Sequence, residues 1–410
     1  MMRFIFGLIL MSQVTASAAP RDFRQALNEM VSRSTAVDIQ KSRLSASESV
    51  LLSRRFSFLP SLSLNATQSE TGDPKVTEKS LVGTAKLNLF RFGGDWAALK
   101  AAEAGRDYEK AQLEQTDLQA EADAVNALVE LLQTRMTSEI IKNRVTAAEE
   151  VTSIASIRFK RGLTPAEEVS RVEIDLSNER AQLDNATSSL NVAEAGVARL
   201  LGNSEVSGEW PWKQTMRGTR IRELLDRKPS LEERPDYRAA NLLVESQDQR
   251  SKQSYRGMLP SLDLSYSRGE YEVAGTWQPG WSALVTLSIP LFNGLQDYSE
   301  YRTQAERARE AELKLEQLKR DELNLQKSYQ ENFRLALQTA EAREKTLATA
   351  QRLLKVNVTR YKAGRADAND LAIERSRESQ AELLAIEGWA RAHQALVKLA
   401  HSFGKSVREL

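Results

Sequence analysis

Four landmarks occur twice in this chain, in the same order and at nearly one spacing. Leu59-Pro60-Ser61-Leu62 recurs as Leu259-Pro260-Ser261-Leu262, and Leu89-Phe90 recurs as Leu291-Phe292, each closely followed by glycine (Gly93 and Gly94; Gly294). Arg158-Phe159-Lys160-Arg161-Gly162 recurs as Arg360-Tyr361-Lys362-Ala363-Gly364, and Leu201-Gly202 as Phe403-Gly404. The offset is 200 residues at the first landmark and 202 at the others. A length of 410 residues would ordinarily suggest two or three domains. A duplication at this spacing means instead one structural unit used twice. The copies span 19–202 and 235–404, with a link at 203–234 and a short tail at 405–410.

Each copy opens with a helical segment (about 22–57 and 235–257), continues through two strand-like runs, and ends in two long helices joined by a glycine turn. No glycine or proline falls between Gly105 and Gly162, or between Gly294 and Gly364. These stretches are rich in Ala, Glu, Leu, Gln, Arg and Lys, the strong helix formers. They predict helices over 95–161 and 296–363, each ~100 Å long at ~1.5 Å per residue, with return helices over 165–201 and 367–403 of ~55 Å. No single globular core needs rods of that length. Leu315, Leu318, Leu323 and Leu325 mark a face that packs on other helices, and charged side chains cover the rest.

The strand-like runs alternate. In 281–289, Trp281, Ala283, Val285, Leu287 and Ile289 share one face, and Ser282, Leu284, Thr286 and Ser288 the other. The same period of two marks 62–70, 81–89 and 262–271, predicting strands over about 61–71, 80–91, 261–272 and 281–291. Alternation over about 10 residues is the pattern of a transmembrane β-strand. Four strands cannot close a barrel alone, and open edges are not tolerated in hydrocarbon. If these strands enter a membrane, two or three copies of the chain share one barrel, and the helices continue beneath it as a hollow cylinder.

Composition narrows the function. The 57 basic and 56 acidic residues nearly cancel, leaving a formal charge of +1, which argues against a nucleic-acid footprint. There is no cysteine, so disulfides, thiolate metal sites and cysteine nucleophiles are excluded. The two histidines, His393 and His401, lie eight residues apart, too far for a metal pair one helical turn apart. No phosphate loop, zinc motif or nucleophile elbow is present. No cofactor, metal or enzymatic activity is expected. No apolar run approaches 18 residues, which excludes a helical polytopic membrane protein. Arg3, the apolar run from Phe4 to Met11 and Ala16-Ser17-Ala18 form a secretory signal over 1–18.

At this point the residues match a known family. The chain resembles the TolC-type outer-membrane efflux and secretion proteins over nearly its whole mature length. The resemblance rests on Arg234-Pro235-Asp236-Tyr237-Arg238-Ala239-Ala240 leading into Leu259-Pro260-Ser261-Leu262-Asp263-Leu264. It rests also on Ser288-Ile289-Pro290-Leu291-Phe292-Asn293-Gly294, and on Tyr361-Lys362-Ala363-Gly364 before Asp370-Leu371. It implies a homotrimer, mainly α with β, forming a twelve-stranded barrel in outer-membrane lipid continuous with a periplasmic α-helical barrel. It implies a passive exit duct of a tripartite efflux or type I secretion system, served by an inner-membrane transporter and a periplasmic adaptor protein.

The resemblance also directs attention to the two glycine turns as periplasmic tips. Glu168 and Asp370 each lie six residues past a tip glycine and are equivalent by the 202 offset. In the family the corresponding acidic positions constrict the closed duct, and three chains would crowd these carboxylates around one axis, where they repel and attract cations. Asp370 is the first choice for this gate. Ile373 stands where efflux members can carry a second acidic residue, so the ring would be single. Tyr361 would latch the closed state by bonding to the neighbouring hairpin near Glu168. The turns Gly162-Leu163-Thr164 and Gly364-Arg365-Ala366 would dock the adaptor. Against these readings stand ordinary ones. Thr164-Pro165-Ala166-Glu167 has the form of a helix capping box, Glu168 and Asp370 suit a solvated helix, and Tyr361 suits groove packing. Trp210-Pro211-Trp212 falls in the inter-repeat link and carries no assigned chemistry. A structural periplasmic coiled-coil scaffold or adhesion protein is the competing class. It needs the helices but not four alternating strands.

Overall fold

The computed structural model describes residues 23–72, 76–201, 216, 218–273, 275–362 and 368–409. The segment 1–18 and Trp210-Pro211-Trp212 lie outside the described residues. In chain order the elements are α1 (Phe23–Ser32), α2 (Thr35–Phe56), β1 (Ser61–Thr71), β2 (Val76–Phe90), α3 (Gly94–Lys160) and α4 (Ala166–Leu201). Then come α5 (Thr219–Asp226), α6 (Pro235–Gly257), β3 (Ser261–Val273), β4 (Thr276–Ser288), α7 (Gln296–Lys362) and α8 (Ala368–Ser402), with a short 3-10 turn at Val407–Glu409.

The duplication is visible in three dimensions. The rods α3 and α7 are 67 residues each. Their return helices α4 and α8 are 36 and 35 residues. The four strands form one antiparallel sheet in the order β1-β2-β3-β4. Ser61 pairs with Lys86, Ala85 with Tyr266 and Leu262 with Leu287, with a bulge between Asn88 and Phe90. β2 and β4 start further out than the alternation suggested, at Val76 and Thr276. Pairing runs on through Pro279 and Gly280, opposite Glu270 and Gly269, because β4 is an edge strand of the chain and tolerates proline.

Every strand runs into a helix: α2 into β1, β2 into α3, α6 into β3 and β4 into α7. The two elbows from strand to rod are built alike, with Phe92-Gly93 (φ 48 and 78°) and Gly294-Leu295 (φ 70 and 67°). Phe92 and Leu295 are bulky residues in the left-handed region, where a side chain crowds the backbone. Arg256 braces the first elbow by donating to the Gly93 carbonyl at 2.8 Å.

The core sits midway along the rods. One cluster joins α1, α3, α4 and α8 around Leu128, Val129, Val197 and Leu201. A second joins α5, α7 and α8 around Ile221, Phe333, Trp389, Leu396 and Phe403. Nearer the sheet, Ala97, Ala101, Ala104 and Ala111 give α3 a flat stripe, and Ser246 of α6 reaches across it to the Ala101 carbonyl at 3.0 Å. Leu315, Leu318 and Leu323 are half-buried on α7, whereas Leu325 is exposed.

The helices α7 and α8 pack tightly at Gly388. A Cβ there would meet Arg343 Cδ at 3.1 Å and Ala340 Cα at 3.2 Å. Arg343 is itself fixed to the Leu384 carbonyl and to Glu387, both at 3.0 Å. Replacing Gly388 by leucine is expected to cost ~1–3 kcal/mol through overpacking, read as a lower melting point of the helical circular-dichroism signal. Gly196 on α4 has nothing within 4 Å of its would-be Cβ. Gly196→Ala is therefore expected to be neutral or stabilising by up to ~1 kcal/mol.

Candidate functional site

The register divides the sheet into two chemically distinct faces. One carries Leu62, Leu64 and Ala66 of β1, Leu81, Gly83, Ala85 and Leu87 of β2, Leu262, Leu264 and Tyr266 of β3, and Trp281, Ala283, Val285 and Leu287 of β4. The other carries Ser63, Asn65, Thr67, Thr84, Ser265, Ser267, Ser282 and Thr286, with Val82 and Leu284 among them. Polar pairs knit this second face: Thr84 and Ser267 share a hydrogen bond at 3.0 Å, and Asn88 donates to Asp263 at 2.8 Å.

The apolar face is bare. Leu62 is 82% exposed, Trp281 72% and Leu287 61%. All of β1 from Ser61 to Glu70 is exposed. Among the described residues the outer edges of β1 and β4 pair with no further strand. A long exposed apolar edge invites aggregation in water unless something covers it. Large apolar residues also gather where strands become helices: Phe56, Phe58, Leu59, Phe90, Phe92, Trp96, Leu291 and Phe292 are all exposed. Further out, where the charges begin, the same face carries Tyr266 and Trp281, and Trp277 lies near the β3–β4 turn, while Tyr271 lies on the opposite face. Aromatic girdles at both ends of an apolar band mark the two interfaces of a bilayer. No described helix is long and apolar enough to cross one.

The pairs Phe56-Ser57-Phe58 and Phe90-Arg91-Phe92 are visible in the sequence, but an aromatic border forms only when strand ends from distant parts of the chain are set side by side.

The first tip is built on backbone bonds. Gly162 adopts φ +72°, its N–H donates to the Phe159 carbonyl at 2.9 Å, and Leu163 N–H donates to Arg158 at 3.0 Å. These are the two bonds of a Schellman stop, which needs a left-handed residue and so suits glycine. Leu163 is 72% exposed at the apex, and Thr164 behind it is buried. The capping box expected at Thr164 and Glu167 is not made. Glu168 N–H donates to the Pro165 carbonyl at 3.2 Å. Glu168 is exposed. At the second tip, Tyr361 falls in the last turn of α7 and Asp370 in the first turn of α8. Gly364 and Arg365 lie outside the described residues, as do the side chains of Tyr361 and Asp370.

Above the first tip, ion pairs tie α3 to α4. Arg144 pairs with Glu179, and Arg180 with Glu149 at 2.8 Å. Ile154, Ile157, Phe159 and Ile174 remain exposed. Among the described residues no cluster of His, Cys, Asp and Glu could hold a metal ion.

A sheet with one bare apolar face and one hydroxyl-lined face, running directly into paired helical rods, defines a membrane duct subunit. The chain belongs to the outer membrane efflux protein family, whose model matches residues 26–203 and 228–405, once for each repeat. The fold is that of solved relatives. It resembles the CmeC outer membrane channel of Campylobacter jejuni at TM-score 0.80 and 13% identity, covering 93% of this chain and 85% of that one. It resembles the outer membrane protein VceC of Vibrio cholerae at 0.77 and 17%, covering 94% and 96%. It resembles the open MtrE outer membrane channel of Neisseria gonorrhoeae at 0.78 and 17%, covering 94% and 89%. No curated protein sequence matches the chain. The protein is an outer-membrane efflux duct whose helices form its periplasmic extension.

Proposed function

We propose that three copies of this chain close one twelve-stranded barrel and one helical tunnel. The assembly acts as the passive exit duct of a tripartite efflux or type I secretion system, fed by an inner-membrane transporter through a periplasmic adaptor. The observation that carries this is the sheet, which has two unpaired edges and a bare apolar face. Open edges in hydrocarbon leave backbone groups unsatisfied, so the edges of β1 and β4 must meet those of other copies. The hydroxyl-rich face then lines the lumen. The exposed isoleucines near the tips lie where neighbouring hairpins would cover them.

The tips supply the gate and the docking surface. Asp370 and Glu168 form a carboxylate constriction, Tyr361 latches it, and the turns at Gly162, Leu163, Thr164, Gly364 and Arg365 receive the adaptor. Family resemblance and the 202 offset support these roles.

The test uses the absence of cysteine in the chain. A chain carrying one introduced cysteine in β1 and one in β4, paired between chains by oxidation, is expected to give a covalent trimer from the outer-membrane fraction, with a matching native mass in mild detergent. A soluble monomer or dimer sinks the shared barrel. In planar bilayers Asp370→Ala is expected to raise single-channel conductance and weaken cation selectivity. An unchanged conductance removes Asp370 from the gate.

A further inference from the structure

On the apolar face of the sheet, β3 presents Leu262, Leu264, Tyr266, Arg268, Glu270 and Glu272 in succession. Arg268 is the first charge beyond the apolar band. Register places it directly opposite Trp281. Tyr266 and Trp281 stack beside it, with ring centroids 6.5 Å apart and planes inclined by 28°. Together with Pro279 and Gly280 these residues line an open groove of about 580 Å³. One step further out, Glu272 is committed to Lys79 at 3.1 Å. Arg268 makes no ion pair among the described residues.

We propose that the groove of Tyr266, Arg268, Pro279, Gly280 and Trp281 binds the phosphate group of an outer-leaflet lipid. The inference rests on the barrel reading above, which turns this face to lipid and the β3–β4 turn to the cell exterior. The exposed apolar face extends inward to Leu291. At ~3.4 Å per residue and a tilt of ~40°, the run from Leu291 to Trp281 spans about 26 Å, the height of an outer-membrane apolar band. Arg268, opposite Trp281, therefore stands at its outer border. Arginine facing lipid is costly at mid-bilayer and tolerated near the interface, where it finds headgroup oxygens. Tyrosine and tryptophan prefer that same depth. The guanidinium fork matches two phosphate oxygens at once, and the aromatic wall excludes water from one side. A soluble anion is disfavoured because acyl chains surround the groove. Glu270, above Arg268, faces the sugar or hydroxyl part of a headgroup, whose donors it accepts.

The test is native mass spectrometry of the full chain in mild detergent. The protein is incubated with bis-phosphorylated lipid A, with the same lipid stripped of phosphate, or with inorganic phosphate as competitor. The wild type is expected to retain the phosphorylated lipid about tenfold better than the stripped one, and Arg268→Gln to lose that preference. Millimolar inorganic phosphate is expected to leave retention unchanged. The proposal is overturned if Arg268→Gln retains the phosphorylated lipid as well as the wild type, if the wild type shows no preference, or if free phosphate displaces the lipid. The protein mass in the same spectra reports assembly separately. A missing oligomer defeats the barrel, while an oligomer without phosphate-dependent lipid defeats only this site.

Discussion

Arg234→Ala is expected to lower the stability of the helical region by roughly 3–5 kcal/mol, the cost of breaking a buried ion pair from one side. Only 9% of the Arg234 side chain is exposed. Its guanidinium grips Asp236 through two bonds, Nε to Oδ1 at 2.9 Å and Nη2 to Oδ2 at 2.5 Å. It also meets Glu322 of α7 at 2.5 Å and the Ser402 carbonyl at the end of α8 at 3.3 Å. Burial opposes the charge, but Asp236 and Glu322 more than offset it and hold the guanidinium's pKa above its ordinary value. Gln326 completes the knot, donating to the carbonyls of Ser230 at 2.8 Å and Ser402 at 2.5 Å.

Alanine at position 234 would leave two half-buried carboxylates close together without their shared cation, and the Ser402 carbonyl with Gln326 as its remaining donor. The measurement is the thermal or denaturant midpoint of the helical signal in detergent. Glu322→Gln, which keeps a hydrogen-bond acceptor, is expected to cost less. A triple replacement of Arg234, Asp236 and Glu322 by apolar residues of similar volume is expected to recover much of the loss, because it removes the charges together. If Arg234→Ala melts within about 1 kcal/mol of the wild type, the ion cluster is not what joins the inter-repeat segment to the second hairpin.

The knot also shows where sequence reasoning reaches its limit. Arg234-Pro235-Asp236 stood out as a motif, and Pro235 duly takes the first position of α6. The reason for arginine was hidden, because Glu322 and Ser402 lie 88 and 168 residues away in the chain. Local chemistry was legible throughout. Stretches free of glycine and proline became rods, and Gly162 became a left-handed stop. Period-two alternation became strands, although it lost β4 at Pro279-Gly280, where pairing rather than pattern carries the strand outward. The capping box failed for the opposite reason. Its four residues fit a local rule, but Thr164 is packed at the tip, and burial there is set by the hairpin rather than by the four-residue pattern. Arg268 and the aromatic girdles escaped because they are properties of a face, and a face exists only after the register is set.

Acidification is expected to destabilise the helical region between pH 6.5 and 4 through its two histidines. Both sit near the end of α8. His393 is 2% exposed and donates from Nδ1 to the Trp389 carbonyl at 3.0 Å. Burial pushes its pKa down to about 4, against the smaller opposing effect of that bond. His401 is likewise pushed down to about 4, first by burial and then by the Arg408 charge. Above pH 6.5 both folded and unfolded chains carry neutral imidazoles, so the histidines cost nothing. Below it the unfolded chain takes up protons that the folded chain refuses until about pH 4. Stability therefore falls with pH across this window, by about 3 kcal/mol for each histidine at its lower end. Melting the detergent-held protein at pH 7.5 and pH 4.5 measures the slope. His393→Gln, which keeps a donor for Trp389, is expected to remove about half of it while leaving the pH 7.5 midpoint within ~1 kcal/mol. An unaltered slope in that variant would mean that surface carboxylates, not this buried imidazole, set the acid sensitivity of the tunnel.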